Sequence, residues 1–168
     1  KTGARLPEPM LAADAEAEQR FGIDWEYLAA INLVETGMGR IRGLSVAGAQ
    51  GPMQFIPATW AQYGRGDIND PRDAILAAGR YLEARGFTEP GGIPDALYSY
   101  NNHPAYVRGV TQLARVMQEE PRAYLGYYHW QIYYLSSMGD VVLRPGYVSR
   151  SSIPVARFLR ANPEALSS

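Results

Sequence analysis

Proline and glycine divide this chain into short segments with helical spacing, and this punctuation limits the fold more than any other feature. Five segments start with a proline in the first helical turn, where its missing N–H costs nothing, and four stop at a glycine. Glycine readily adopts the left-handed conformation that ends helices. Asp24 and Asp70 supply N-caps. The pattern predicts helices over residues 9–21, 25–36, 57–63, 71–85, 94–100 and 104–117.

The chain after residue 120 has weaker signals. Residues 121–138 are rich in aromatic side chains and predict a further helix, and residues 149–168 predict a loosely packed tail with one short helix. The run Val141-Val142-Leu143, before Pro145 and Gly146, is the one segment that predicts a strand or hairpin arm. We therefore predict one mainly α domain over residues 1–168, with at most a minor hairpin near the C-terminus.

Composition excludes several classes of protein. The 168 residues suffice for one hydrophobic core. With no Cys, a disulfide scaffold, a thiol nucleophile and a Cys-ligated zinc site are excluded. A net charge of -1 and no basic arm argue against nucleic-acid binding. No apolar run reaches the roughly 20 residues that span a bilayer. Because the chain begins at Lys1, we expect a trimmed fragment from which a signal or anchor has been removed.

The aromatic content is high, with 12 Tyr, 3 Trp and 4 Phe. Such residues either pack the core and its rim or form a surface that stacks on polar rings. Conventional catalytic groups are scarce. His103 and His129 have no Ser or Asp at triad spacing, and no phosphate-binding loop is present. Asp67 and Asp70 offer oxygen ligands, but Asp70 serves better as a helix cap. We expect no metal and no cofactor.

Glu35 remains as the candidate acid. It lies on the last turn of the second predicted helix, followed by Thr-Gly-Met-Gly. Unpaired carbonyls at a helix C-terminus oppose ionisation of a carboxyl, and burial raises its pKa further. A Glu that stays protonated can donate a proton, although an exposed Glu with no task fits the same pattern.

Four motifs occur in order along the chain. They are residues 34–40 (Val-Glu-Thr-Gly-Met-Gly-Arg), 45–57 (Ser-Val-Ala-Gly-Ala-Gln-Gly-Pro-Met-Gln-Phe-Ile-Pro), 70–75 (Asp-Pro-Arg-Asp-Ala-Ile) and 99–101 (Ser-Tyr-Asn). Together they resemble the successive signatures of the lytic transglycosylases, which share the goose-type lysozyme fold. The resemblance covers residues 25–117, and its details are closest to the membrane-bound B type. Residues 121–168 form a C-terminal extension.

This resemblance implies a peptidoglycan-cleaving enzyme with Glu35 as its sole catalytic acid and base. Ordinary glycosidases need two carboxylates. Here the N-acetyl group and the 6-hydroxyl of N-acetylmuramic acid would replace the second one, which leaves a 1,6-anhydro end. The residues that would bind the sugar are Ser45, Met53, Gln54, Ile56, Tyr81, Tyr98, Tyr100 and Asn101. For Met53, core packing is the competing interpretation. The implied partner is the glycan strand, the implied location is the cell envelope, and we expect a monomer.

Two details depart from the family pattern. Residues 63–70 are too short for the calcium loop of the B type, so we expect no calcium. Pro52 stands where the family often has Leu, and a proline stiffens the turn. Three alternatives stay open: a hydrolytic muramidase that holds water with Asp67, Asp70 or Asp73, a non-catalytic glycan-binding module, and a helical DNA-binding domain.

Overall fold

The computed structural model describes residues 8–41, 44–130, 132–143 and 153–166 of the chain. This part contains eight α-helices, one short 3₁₀ helix and a two-stranded antiparallel sheet. The helices are α1 (Glu8–Phe21), α2 (Trp25–Thr36), α3 (Pro57–Tyr63), α4 (Pro71–Ala84), α5 (Ile93–Tyr100), α6 (Pro104–Glu119), α7 (Ala123–Tyr128) and α8 (Val155–Ala161). The strands are β1 (Ile132–Tyr134) and β2 (Val141–Leu143), and the 3₁₀ helix is Pro163–Ala165.

Helix α2 lies at the centre of the core. Six consecutive residues, from Tyr27 to Asn32, are all buried. A helix that is buried all round needs partners on every side, and α1, α4, α6 and α7 all pack against α2. Its buried polar residue, Asn32, donates a hydrogen bond from Nδ2 to the sulfur of Met10 at 3.5 Å. The C-terminal end of α2 is therefore held from several directions.

Helices α1 and α4 approach each other closely. A Cβ atom at Gly79 would lie 2.7 Å from the Phe21 ring, so glycine makes room for this ring. Helix α4 begins as the sequence predicts, because the Asp70 carboxylate accepts the N–H of Asp73 at 3.0 Å. All six helices predicted up to residue 120 are present, each with its ends within two residues of the prediction. The predicted mainly α architecture is confirmed.

The predicted helix over residues 121–138 is wrong beyond Tyr128. The chain turns at residues 129–130 and then forms β1, which pairs with β2 in the register Ile132 to Leu143 and Tyr134 to Val141. Ile and Tyr favour extended structure, and β2 needs a partner for its backbone groups. The spacing of apolar residues within residues 121–138 does not show that this segment pairs with residues 141–143. The predicted strand at Val141–Leu143 is confirmed, whereas residues 145–146 lie outside the described residues.

The tail contains the short helix that the sequence predicts, which is α8. After the 3₁₀ helix, Leu166 forms an antiparallel bridge with Val141 of β2. The tail is thereby attached to the hairpin, while residues 149–152 and 167–168 lie outside the described residues. In the part of the chain that the structure covers, no helix is both long and apolar enough to cross a membrane.

Candidate active site

The carboxyl of Glu35 lies half-buried on the last turn of α2. The helix ends directly after Thr36, because Gly37 adopts the left-handed conformation with φ 58°. The N–H of Gly37 then donates to the carbonyl of Leu33, and the N–H of Met38 donates to the carbonyl of Asn32. Burial raises the pKa of Glu35. This carboxyl therefore holds its proton to a higher pH than an exposed Glu does.

Tyr106 and Tyr100 lie beside Glu35. The Tyr106 hydroxyl is buried and has no partner at hydrogen-bond distance among the described residues. It nevertheless lies close enough to interact with the Glu35 carboxyl, and this interaction lowers the pKa of Glu35 against the larger effect of burial. Burial, and then the charge of Glu35, raise the pKa of Tyr100 and of Tyr106. Two neutral hydroxyl-bearing rings therefore surround the acid.

The tyrosines form a connected aromatic cluster. The rings of Tyr100 and Tyr106 stack with centroids 6.4 Å apart and planes 4° from parallel. Tyr81 meets Tyr100 edge to face at 5.4 Å, and its hydroxyl donates to the carbonyl of Ser99 at 2.6 Å. Edge-to-face and stacked contacts favour one arrangement of the rings. The cluster fixes α4, α5 and α6 relative to Glu35.

A tight turn over residues 50–55 forms a second wall of the site. Gln50 and Phe55 pair by two backbone hydrogen bonds of 2.9 Å. Gln54 lies between them with φ 53°, in the left-handed region that few non-glycine residues adopt. Its side-chain nitrogen donates to the Gly51 carbonyl at 3.0 Å. Backbone strain of this kind, at a residue other than glycine, persists only where the surrounding structure holds it, and it is common at ligand-binding sites.

Two hydrogen bonds attach this turn to the helices beside it. Thr36, the neighbour of Glu35, donates its hydroxyl to the carbonyl of Pro52 at 2.8 Å and accepts the N–H of Gly39 at 2.9 Å. Tyr100 donates its hydroxyl to the carbonyl of Met53 at 2.6 Å. The turn is thus fixed to α2 and to α5 at once. This role of Thr36 was not identified from the sequence. The available signal was its position between Glu35 and the glycine that ends α2.

A cavity of about 160 Å³ lies between the turn and the tyrosine cluster. The side chains that line it are Gln54, Phe55, Ile56, Thr59, Tyr81, Ser99 and Tyr100. Four of them, Gln54, Ile56, Tyr81 and Tyr100, are among the residues predicted from the sequence to bind substrate. Glu35 does not line this cavity, but its charge acts on Tyr100, which does.

The remaining predicted residues lie elsewhere. Ser45 is exposed in the loop after α2, where its hydroxyl accepts the N–H of Ala49 at 2.9 Å. Tyr98 and Asn101 are exposed at the end of α5 and do not line the cavity. The side chain of Met53 is fully buried, as the competing interpretation of core packing expects, and its carbonyl accepts the Tyr100 hydroxyl.

The other polar candidates have structural partners. His103 caps α6, since its Nδ1 accepts the N–H of Ala105 at 3.2 Å. Asp73 accepts the N–H of Asp67 at 2.9 Å, and both lie with Asp70 at the start of α4. Within the described ranges, no group of three or more His, Asp or Glu side chains is arranged to hold a metal ion.

The chain is similar to known proteins in sequence and in structure. A family model described as the transglycosylase SLT domain matches residues 13–121. The membrane-bound lytic murein transglycosylase F of Thiobacillus denitrificans is 30% identical over 115 residues, which are 65% of this chain and 24% of that protein. The aligned region therefore spans about a quarter of the relative's length.

A solved structure with the same fold is the Escherichia coli lytic transglycosylase Slt35, determined in complex with calcium. It superposes with a TM-score of 0.60 at 17% identity, over 67% of this chain and 72% of that chain. The likeness confirms the predicted lysozyme-like helical fold.

Proposed function

Because this chain belongs to the transglycosylase SLT domain family, we propose that it is a peptidoglycan lytic transglycosylase that uses Glu35 as its only acid and base. The observation that carries the proposal is the environment of this carboxyl. Burial raises its pKa, the Tyr106 hydroxyl interacts with it, and the side chains that line the cavity beside Tyr100 include no second carboxylate. A two-carboxylate glycosidase requires that second group.

The reaction balances with one carboxyl. Protonated Glu35 donates its proton to the oxygen between N-acetylmuramic acid and N-acetylglucosamine while the bond from the anomeric carbon to that oxygen breaks. The N-acetyl carbonyl of the substrate stabilises the cation that forms. The 6-hydroxyl then attacks the anomeric carbon and gives its proton to Glu35, which restores the acid. The product carries a 1,6-anhydro ring, and proximity replaces an activated water.

The cavity residues would hold the sugar beside Glu35. Gln54 presents an amide from a rigid turn, and Ile56 is exposed next to it. Tyr81 and Tyr100 supply ring surface from the opposite wall. We also assign Ser45, Tyr98 and Asn101 to the outer edge of the same cleft, where a longer glycan strand would pass.

The substrate places the enzyme in the cell envelope, where peptidoglycan is found. The relative's name, membrane-bound lytic murein transglycosylase, agrees with this location for that protein. The partner of this chain would be the glycan strand itself, with no nucleic acid. We propose that the chain acts as a monomer.

Mass analysis of digested peptidoglycan tests the proposal. We expect muropeptides with 1,6-anhydro ends, each lighter by one water than a hydrolysis product. Glu35→Gln keeps the shape of the side chain and removes the proton, so cleavage should fall by at least about a thousandfold, the order of a general acid's contribution. Glu26→Gln, on the first turn of the same helix, is the matched control and should cleave at the parent rate.

Two alternatives give different results in this assay. A muramidase would release only reducing, hydrated ends. The three aspartates that could hold its water lie in the turn before α4 and on its first turn, and all three accept backbone N–H groups there. A non-catalytic binding module would release nothing, although a half-buried Glu has no evident purpose in sugar binding alone.

A further inference from the structure

An exposed aromatic pair lies on the C-terminal extension, outside the cavity. The rings of Tyr127 and Trp130 stack with centroids 5.6 Å apart and planes 28° from parallel. Trp130 is 58% exposed, whereas the other two tryptophans of the chain, Trp25 and Trp60, are half-buried against the core. We call Tyr127 and Trp130 the aromatic platform. Exposed apolar patches, unlike single exposed residues, often mark a binding surface, and the extension also exposes Tyr133, Leu135 and Met138.

The platform is held next to the end of α2 that carries Glu35. Helix α7 packs along α2, and its Tyr124 meets Trp25, at the end of α2 away from Glu35, edge to face at 5.8 Å. Arg40, just beyond α2, lies over the Tyr128 ring at 5.6 Å. On the other side of the platform, a Cβ at Gly37 would lie 2.9 Å from the Ile132 side chain, so β1 abuts the turn that ends α2.

These contacts place the platform near the end of α2 that carries Glu35, although neither of its rings lines the cavity. Trp130 is two residues before Ile132 and so lies within about 7 Å of it along the chain. Ile132 in turn touches Gly37, which is two residues from Glu35. A glycan strand that leaves the cleft on this side passes the platform within a few sugar rings.

The chemistry of the segment favours a neutral sugar ring over other occupants. Between Ala123 and Leu143 the only charged residue is Asp140. A lipid surface is usually bound by several free Lys and Arg around the apolar groups, whereas two arginines beside this segment are engaged, Arg122 with Glu120 at 3.2 Å and Arg40 over the Tyr128 ring. A rigid aromatic face with hydroxyl-bearing tyrosines nearby suits a ring that has one apolar face and polar edges.

We propose that the aromatic platform is an additional subsite that stacks on an N-acetylhexosamine ring of the glycan strand, beyond the cavity beside Glu35. This proposal rests on the proposed function, since it assigns a second contact to the same substrate. It predicts that affinity depends on the length of the oligosaccharide, because only a strand longer than the cavity reaches Trp130.

Binding of chitooligosaccharides to the Glu35→Gln protein tests the subsite without cleavage. Trp130→Ala should weaken binding of a hexasaccharide about fivefold, the loss expected for one aromatic contact, and leave binding of a disaccharide unchanged. Trp130→Tyr should restore most of the affinity. Met138→Ala removes another exposed apolar side chain of the extension, 52% exposed, and should bind as the parent does. Thermal unfolding should be similar in all variants, because Trp130 is at the surface.

Several outcomes would overturn the subsite. Equal hexasaccharide affinity in the parent and Trp130→Ala, with peptidoglycan still digested by the Glu35 protein, rejects the platform and leaves the proposed function intact. Trp130-dependent sedimentation with anionic vesicles, at unchanged sugar affinity, assigns the platform to lipid instead. A Trp130-dependent dimer in light scattering, again at unchanged sugar affinity, assigns it to a second copy. If the parent binds no oligosaccharide of either length, the platform is rejected, and the proposed function fails with it only if the Glu35 protein also releases no muropeptides from peptidoglycan.

Discussion

The hydroxyl of Tyr100 donates a hydrogen bond of 2.6 Å to the carbonyl of Met53, which is 47 residues away in the chain. It connects α5 to the turn that holds Gln54 in its left-handed conformation. Through this bond, a tyrosine predicted to bind sugar also shapes the opposite wall of the cleft.

Tyr100→Phe should therefore lower stability and activity together. Removing the donor deprives the part-buried Met53 carbonyl of its partner, which costs about 1 to 2 kcal/mol of unfolding free energy, and the rate of muropeptide release should fall because Gln54 is less well held. Urea denaturation and product release measure the two effects. Tyr63→Phe is the control, because its ring meets Tyr81 edge to face at 5.2 Å and should keep that contact. Equal stability of the two variants would refute the structural role of this hydrogen bond.

The pH dependence of cleavage should report on Glu35 and Tyr106. Since burial raises the pKa of Glu35, the rate should fall as pH rises through that raised pKa and the acid loses its proton. The Tyr106 hydroxyl lowers the same pKa. Tyr106→Phe should therefore move the alkaline limb of the profile to higher pH.

Tyr27→Phe gives the matched control for this shift. Tyr27 is also buried, but the charges that affect its pKa are Arg115, Asp24 and Glu26, at the far end of α2 from Glu35. Its variant should keep the parent profile. A limb that stays in place or moves to lower pH in Tyr106→Phe would contradict the interaction.

Two glycines, Gly48 and Gly51, test how closely the turn over residues 50–55 packs against residues 68–69. Gly48 and Gly51 both have positive φ, 78° and 73°. A Cβ at Gly48 meets nothing within 4 Å, whereas a Cβ at Gly51 overlaps the backbone carbonyl oxygen of Ile68. Gly48→Ala should cost about 1 kcal/mol of unfolding free energy from backbone strain alone. Gly51→Ala should cost at least about 2 kcal/mol more, because backbone must move.

Chemical denaturation of both variants measures the difference, and cleavage should fall more in Gly51→Ala because the Gly51 carbonyl accepts the Gln54 side chain. Equal losses of unfolding free energy in the two variants would show that residues 64–70 move aside at little cost and that the turn is not tightly packed against them.

Asp14 should make stability depend on pH. Its carboxyl is 1% exposed, and neither oxygen has a hydrogen-bond partner among the described residues. Burial raises its pKa well above the ordinary value, so the folded state binds this proton more tightly than the unfolded state. The stability that the protonated carboxyl retains at low pH is lost as pH rises from about 4 towards the raised pKa.

Asp14→Asn removes the ionisation and should raise the unfolding free energy at neutral pH by about 1 to 3 kcal/mol. It should also flatten the decline above pH 4. The exposed Asp95 on α5 provides the control, and Asp95→Asn should change neither. Denaturant midpoints measured across the pH range test this prediction. If unfolding free energy depends on pH in Asp14→Asn as it does in the parent, Asp14 is not a buried, protonated carboxyl.

Local signals predicted the helices well because their causes lie within a few residues. Pro71 and the Asp70 cap determine where α4 begins, and Gly37 determines where α2 ends. The resemblance of the motifs to the family predicted four of the seven residues that line the cavity, which are Gln54, Ile56, Tyr81 and Tyr100. Tyr106, which interacts with Glu35, was not assigned to the site, because an aromatic residue on a helix has the same local pattern in a core and in a cleft.

The sequence by itself determined the helical order, the fold class, the family signature and Glu35 as the candidate acid, because caps, turns and motif spacings are local. Only the tertiary structure decided the β1 and β2 pairing, the burial that raises the pKa of Glu35, and the burial of the Met53 side chain in the core. These properties depend on which distant segments meet. Burial and strand pairing are produced by packing between elements, and no window of neighbouring residues contains that information.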